Sequence, residues 1–73
     1  MTTDPKSFTP EEMREFLDMR VALRDHSVLK VQIEREAAPE WEAVQAAETW
    51  GERNRLDRIR CRKVLSIWRR IKP

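Results

Sequence analysis

Apolar residues return every three or four positions through most of this chain, the spacing that gathers them on one side of a helix. The first such run is Met13, Phe16, Leu17, Val21 and Leu23, and a clear start signal precedes it. Thr9 stands at the N-cap, Pro10 takes the first helical position, and Glu12 follows three residues after the cap. A threonine hydroxyl there accepts from an amide that has no helical partner, and the glutamate returns a bond to the amide of the cap itself. Phe8 and Met13 have the spacing of a hydrophobic staple, while Glu11 and Glu12 complement the positive end of the helix. The pattern predicts a helix from Pro10 to about Arg24.

Asp25, His26 and Ser27 interrupt that run with residue types that favour caps and turns. Residues 28–34 then carry two periods at once. Leu29, Val31 and Ile33 alternate with Lys30, Gln32 and Glu34 as in a half-buried strand, yet Leu29, Ile33 and Ala37 are four apart as on a helix. A lone strand finds no partner elsewhere in this chain, so helix is the assignment and strand the variant. Ala38-Pro39-Glu40 opens a further helix, with proline where its missing amide costs little. Trp41, Ala43, Val44, Ala46, Ala47 and Trp50 are its apolar residues, and the tryptophans are expected in the core. Gly51, the single glycine, reads as its C-terminal stop. The last helix runs from about Arg53 to Ile71, with Leu56, Val64, Ile67 and Ile71 on one side, flanked by Ile59 and Trp68. The expected fold is all-α: a small bundle of three to four helices over residues 9–73, preceded by a flexible tail at residues 1–8.

Length narrows the function. A chain of 73 residues buries only about 60% of its unfolded surface, which leaves a thin core and no room for a multi-residue catalytic cleft. One cysteine, Cys61, excludes an intramolecular disulfide. The opening Met-Thr-Thr-Asp-Pro-Lys lacks the basic and apolar regions of a signal peptide, and no run approaches the roughly 18 apolar residues of a membrane span. A cytoplasmic location is therefore expected. Asp25, His26 and Ser27 are the residue types of a hydrolytic triad, but sequence neighbours point apart instead of converging. Cys61 lies among arginines that lower a thiol pKa, yet no histidine adjoins it as a base, and a helix-packing cysteine is the simpler reading. One cysteine and one histidine do not make a zinc site unless acidic residues complete it, and without a glycine-rich loop there is no phosphate cradle. No catalytic residue, cofactor, metal, membrane or small-molecule substrate is expected.

Charge is where the sequence points to an activity. Residues 1–52 carry six basic and twelve acidic side chains, a net of −6, whereas residues 53–73 carry nine basic side chains and only Asp57 opposite them, a net of +8. Arg53, Arg55, Arg58, Arg62, Lys63, Arg69 and Arg70 are the candidate partner-binding residues, with Phe8 as a secondary anchor in the tail. The guanidinium fork suits phosphates and carboxylates alike, so RNA, DNA or an acidic protein surface each fits such a helix. The same charges could instead neutralise the acidic helices of this protein. The strand variant at Leu29–Glu34, followed by two helices, has the order of a ribbon-helix-helix DNA-binding dimer that presents Lys30, Gln32 and Glu34 to the major groove. Glu34 facing an anionic groove and the capped helix ahead of the ribbon both count against it.

In length, arginine-rich composition and lack of catalytic residues, the whole chain resembles the small phage-encoded antiterminators and inhibitors of bacterial RNA polymerase, including that of a lytic Xanthomonas phage. The resemblance implies a non-enzymatic protein of the bacterial host cytoplasm that binds RNA polymerase subunits and alters initiation and termination. It assigns no individual residue.

Overall fold

The computed structural model describes residues 8–73; the expected flexible tail, apart from Phe8, lies outside the described residues. Four helices follow in order: α1 (Pro10–Leu23), α2 (Ser27–Glu36), α3 (Ala38–Ala46) and α4 (Trp50–Ile71). The capping box forms as its residues dictate, with the Glu12 amide donating to Thr9 Oγ1 at 3.1 Å and the Thr9 amide donating to Glu12 Oε1 at 3.0 Å. Residues 28–34 are helical throughout, so the strand variant is corrected. Its alternating apolar residues do not share one environment: Ile33 is buried and Leu29 half-buried, while Val31 faces outward. Ala37 alone separates α2 from α3. Pro39 cannot donate an amide to the carbonyl one turn back, which breaks the ladder and lets the chain change direction at Ala37.

The connection from α3 to α4 differs from the expected one. Helix α3 ends at Ala46, Ala47 turns extended, and Thr49 caps α4 by accepting the Glu52 amide at 3.1 Å. Thr49 and Glu52 repeat the Thr-x-x-Glu spacing of Thr9 and Glu12. Gly51 is accordingly the second residue of α4 and not a helix stop, and no described residue has a positive φ. Trp50, expected in the core, opens α4 and is 74% exposed; Trp41 is 47% exposed, and only Trp68 of the three is buried.

Every other helix packs on α4, whose 22 residues span about 33 Å and set the long dimension of a flattened molecule 34 × 33 × 17 Å in extent. Cys61, Val64, Leu65, Ile67 and Trp68 are its buried residues. Val64, Ile67 and Trp68 join Met19, Ile33 and Ala37 in the main core cluster, with Phe16, Leu23, Leu29 and Ile71 at its margin. Helix α1 turns inward only part of its expected apolar stripe, Phe16 and Leu23, together with Met19. Met19 is 3% exposed, whereas Met13, Leu17 and Val21 lie on the outside. The inward row of α1, Glu12, Glu15, Phe16, Met19, Ala22 and Leu23, combines core residues with two carboxylates that meet arginines of α4.

These placements predict opposite outcomes at residues of similar type. Met19→Ala should cost about 2–4 kcal/mol in chemical unfolding, while Met13→Ala should change stability by less than about 0.5 kcal/mol. Gly51→Ala should stabilise by about 0.5 kcal/mol, because a Cβ there meets nothing within 4 Å and alanine is the better helix former. Destabilisation by that change would instead indicate a left-handed stop.

Candidate functional site: the arginine-rich helix

Helix α4 begins with its only first-turn acid, Glu52, and ends with Arg69 and Arg70 in the last turn, the polarity that suits the helix dipole. Between these ends, the structure divides the expected partner-binding residues into three groups. Arg62 and Arg69, seven residues apart on one face, turn to α1. Arg69 grips Glu15 with two bonds, Nε to Oε2 at 2.8 Å and Nη2 to Oε1 at 2.5 Å. Arg62 reaches Glu12 at 3.5 Å and lies over the Phe8 ring, 5.8 Å from its centroid. Arg70 and Lys63, again seven apart, turn to α2, where Arg70 bonds Glu36 and the Lys63 charge acts on the same carboxylate. Arg53, Arg55 and Arg58 remain at the first half of α4 and form no ion pair among the described residues.

Phe8, the eighth expected residue, is stacked on Phe16 with ring centroids 6.4 Å apart and planes 28° apart. Phe8 thus meets the inward face of α1, while Met13, its expected staple partner, is about half exposed. Half-buried between Phe16 and Arg62, Phe8 belongs to the fold as much as to any surface.

The ion pairs shift the carboxylates in one direction. Glu12 is held below the ordinary glutamate pKa first by the Thr9 backbone amide and then by the Arg62 charge. The Arg69 hydrogen bonds do the same for Glu15, and the Arg70 hydrogen bond for Glu36. Glu15 in return holds Arg69 above its usual value. Burial pushes the Cys61 thiol up, and the neighbouring Arg60 charge only partly opposes it. Cys61 thus sits in the helix interface as a protonated thiol, with its Sγ 3.5 Å from Arg60 Nη2. His26 is exposed at the N-cap position of α2 and makes no side-chain cap bond. Among the described residues, no three histidine, cysteine or acidic side chains group as metal ligands, and no helix is long and apolar enough to cross a membrane.

Sequence reasoning missed the apolar companions of the free arginines. Trp50 precedes Arg53 by less than one turn, and Ile59 follows Arg58; both are exposed. Arg60 does not join the free group, because Asp57 binds it at 2.9 Å and Trp41 lies under its guanidinium at 5.2 Å from the ring centroid. The Thr49-x-x-Glu52 cap was the signal that could have placed Trp50 on a helix start and hence at the surface.

The lowered carboxylate pKa values give a signed pH dependence. Each of Glu12, Glu15 and Glu36 contributes stability that is complete above the ordinary glutamate pKa and is lost as pH falls through the lowered native value. Unfolding measurements should therefore show stability falling below about pH 4.3, less steeply in Glu15→Gln. An unchanged pH slope in Glu15→Gln would remove the Arg69 pair from the balance.

Comparison of the chain with protein-family models, curated proteins and solved structures gives no match.

Proposed function

We propose that this protein is a non-enzymatic regulator that binds bacterial RNA polymerase, inhibiting host initiation and promoting antitermination. The observation that carries the reading is the unpaired basic end of α4, Arg53, Arg55 and Arg58, beside the exposed Trp50. Arginines already engaged by Glu12, Glu15 and Glu36 serve the fold; these three are available to an anionic partner. A planar guanidinium pairs with a carboxylate through two bonds, and a tryptophan beside it supplies an apolar anchor. The charges would speed encounter with an acidic protein surface, and Trp50 would slow departure. The likeness to small phage regulators in size and character supplies RNA polymerase as the partner. Burial of the only cysteine supports a non-enzymatic role.

Direct binding to RNA or DNA is the competing use of the same arginines. Its ribbon-helix-helix form loses the strand it needs, because Lys30, Gln32 and Glu34 lie on α2.

Tagged protein should retain RNA polymerase subunits stoichiometrically from a nuclease-treated bacterial lysate. The triple reversal Arg53→Glu, Arg55→Glu, Arg58→Glu should reduce retention at least about tenfold, with the far-ultraviolet circular dichroism of the folded chain unchanged. Retention that disappears with the nucleic acid would move the assignment to nucleic-acid binding. Retention indifferent to the triple reversal would overturn the assignment of the site.

A further inference from the structure

Helices α1 and α3 both reach α4, and both touch α2, but their backbones do not approach one another. The gap between them is a depression of about 650 Å³ whose walls include none of Arg53, Arg55 and Arg58. Ala37 and Ala38 stand where α2 passes into α3, and their short side chains leave the gap open. The buried core residues Met19, Ile33, Ala37 and Val64 form its floor. Arg20, Lys30, Arg60 and the exposed Trp41 edge it. A second hollow of about 440 Å³ shares Arg20, Leu23 and Lys30 with the first and adds Leu17 and Arg24.

The charge around this apolar floor is one-sided. Arg20, Arg24, Lys30 and Arg60 face a single lining carboxylate, Glu34. Arg60 is occupied by Asp57 and Trp41, but Arg20, Arg24 and Lys30 form no ion pair among the described residues. The walls contributed by α1 run from Phe16 and Leu17 to Leu23 and Arg24, two helical turns or about 10 Å. That is the distance between side chains seven residues apart on a second helix, and both hollows open to solvent along it. We propose that this groove takes an acidic amphipathic helix of a partner protein. Apolar side chains of that helix at positions i, i+4 and i+7 enter between α1 and α3, and its flanking carboxylates meet Arg20, Arg24 and Lys30. The desolvated apolar contacts set the residence time, while the three cations select against a basic or neutral helix. The groove is separate from the free arginines of α4, and its occupant need not belong to RNA polymerase.

The test is fluorescence anisotropy of a labelled helical peptide of about 18 residues, with leucine at i, i+4 and i+7 and glutamate at the flanking positions, titrated with the full chain. Saturable binding is expected. Arg20→Glu with Lys30→Glu should weaken it at least about tenfold, as should Ala38→Leu, which fills the floor without altering charge. Thermal unfolding of each variant confirms that it remains folded. A peptide with lysine in place of glutamate should not bind, and one with serine in place of leucine should bind at least about tenfold more weakly. Arg55→Glu with Arg58→Glu should leave affinity within about twofold, since those residues lie outside the groove. The proposal is overturned by absence of binding at about 1 mM, by equal affinity of the groove variants, or by loss of binding in the α4 variant. Binding of decanoate without binding of the peptide would likewise overturn it, in favour of a small-amphiphile site. None of these outcomes depends on whether polymerase is retained from a lysate.

Discussion

The buried face of α4 is the constraint on which the rest of this small fold depends. Three short helices of 14, 10 and 9 residues are each marginal or unstable alone in water, and the backbones of α1 and α3 do not approach one another. Each acquires its position by covering part of α4, where Leu65, Ile67, Val64 and Cys61 are almost fully enclosed. In a chain with so few buried side chains, loss of any one of them removes a large share of a marginal stability. The same dependence leaves the gap between α1 and α3 as an open groove, because no residue of one helix is required to meet the other.

Charge agrees with the face of α1 that covers α4. By size of side chain, Met13, Leu17 and Val21 compete with Phe16, Met19 and Leu23 for the inward position. Glu12 and Glu15 lie in the row of the second set, and Arg62 and Arg69 stand seven residues apart on α4 to receive them. Exposed or half-exposed pairs of this kind contribute modestly to stability in high dielectric. They nevertheless differ in sign between the two orientations, since the other rotation would leave the carboxylates unmet. The acidic excess of residues 1–52 and the basic excess of residues 53–73 thus meet in part within the fold, where carboxylates of α1 and α2 pair with arginines of α4.

This explains which features were legible in the sequence. The capping box, a break at Asp25–His26, the proline-started α3 and the core role of Cys61 all rest on local rules and appear in the structure, although Ser27 already belongs to α2. The inward face of α1 was not legible from hydrophobic spacing, because two apolar rows fit, and the carboxylates of the inward row meet arginines about 50 positions away. The start of α4 was legible in principle. Thr49 and Glu52 form a second cap signal, but Gly51 and Trp50 drew attention to a stop and a core residue. For the candidate site, the arginine run identified the correct helix without distinguishing its two halves. Paired and unpaired arginines look alike in sequence, and only the positions of Glu12, Glu15 and Glu36 separate them.

That separation changes what mutation of the basic helix can reveal. Reversing Arg62, Arg69 or Arg70 removes a partner from a carboxylate on α1 or α2 and places like charges together, so any loss of binding is mixed with loss of helix orientation. Reversing Arg53, Arg55 or Arg58 breaks no described ion pair, so a loss of binding there would not be mixed with loss of helix orientation. Residues whose charge is surplus to folding are free to vary with the partner, whereas residues that also hold a neighbouring helix are fixed by the fold. In this protein the two classes occupy successive halves of one helix. A single amphipathic segment thereby carries its fold-engaged arginines in its C-terminal half and its unpaired ones in its N-terminal half, and the boundary falls at Arg60, where Asp57 and Trp41 close off the last arginine before the buried residues begin.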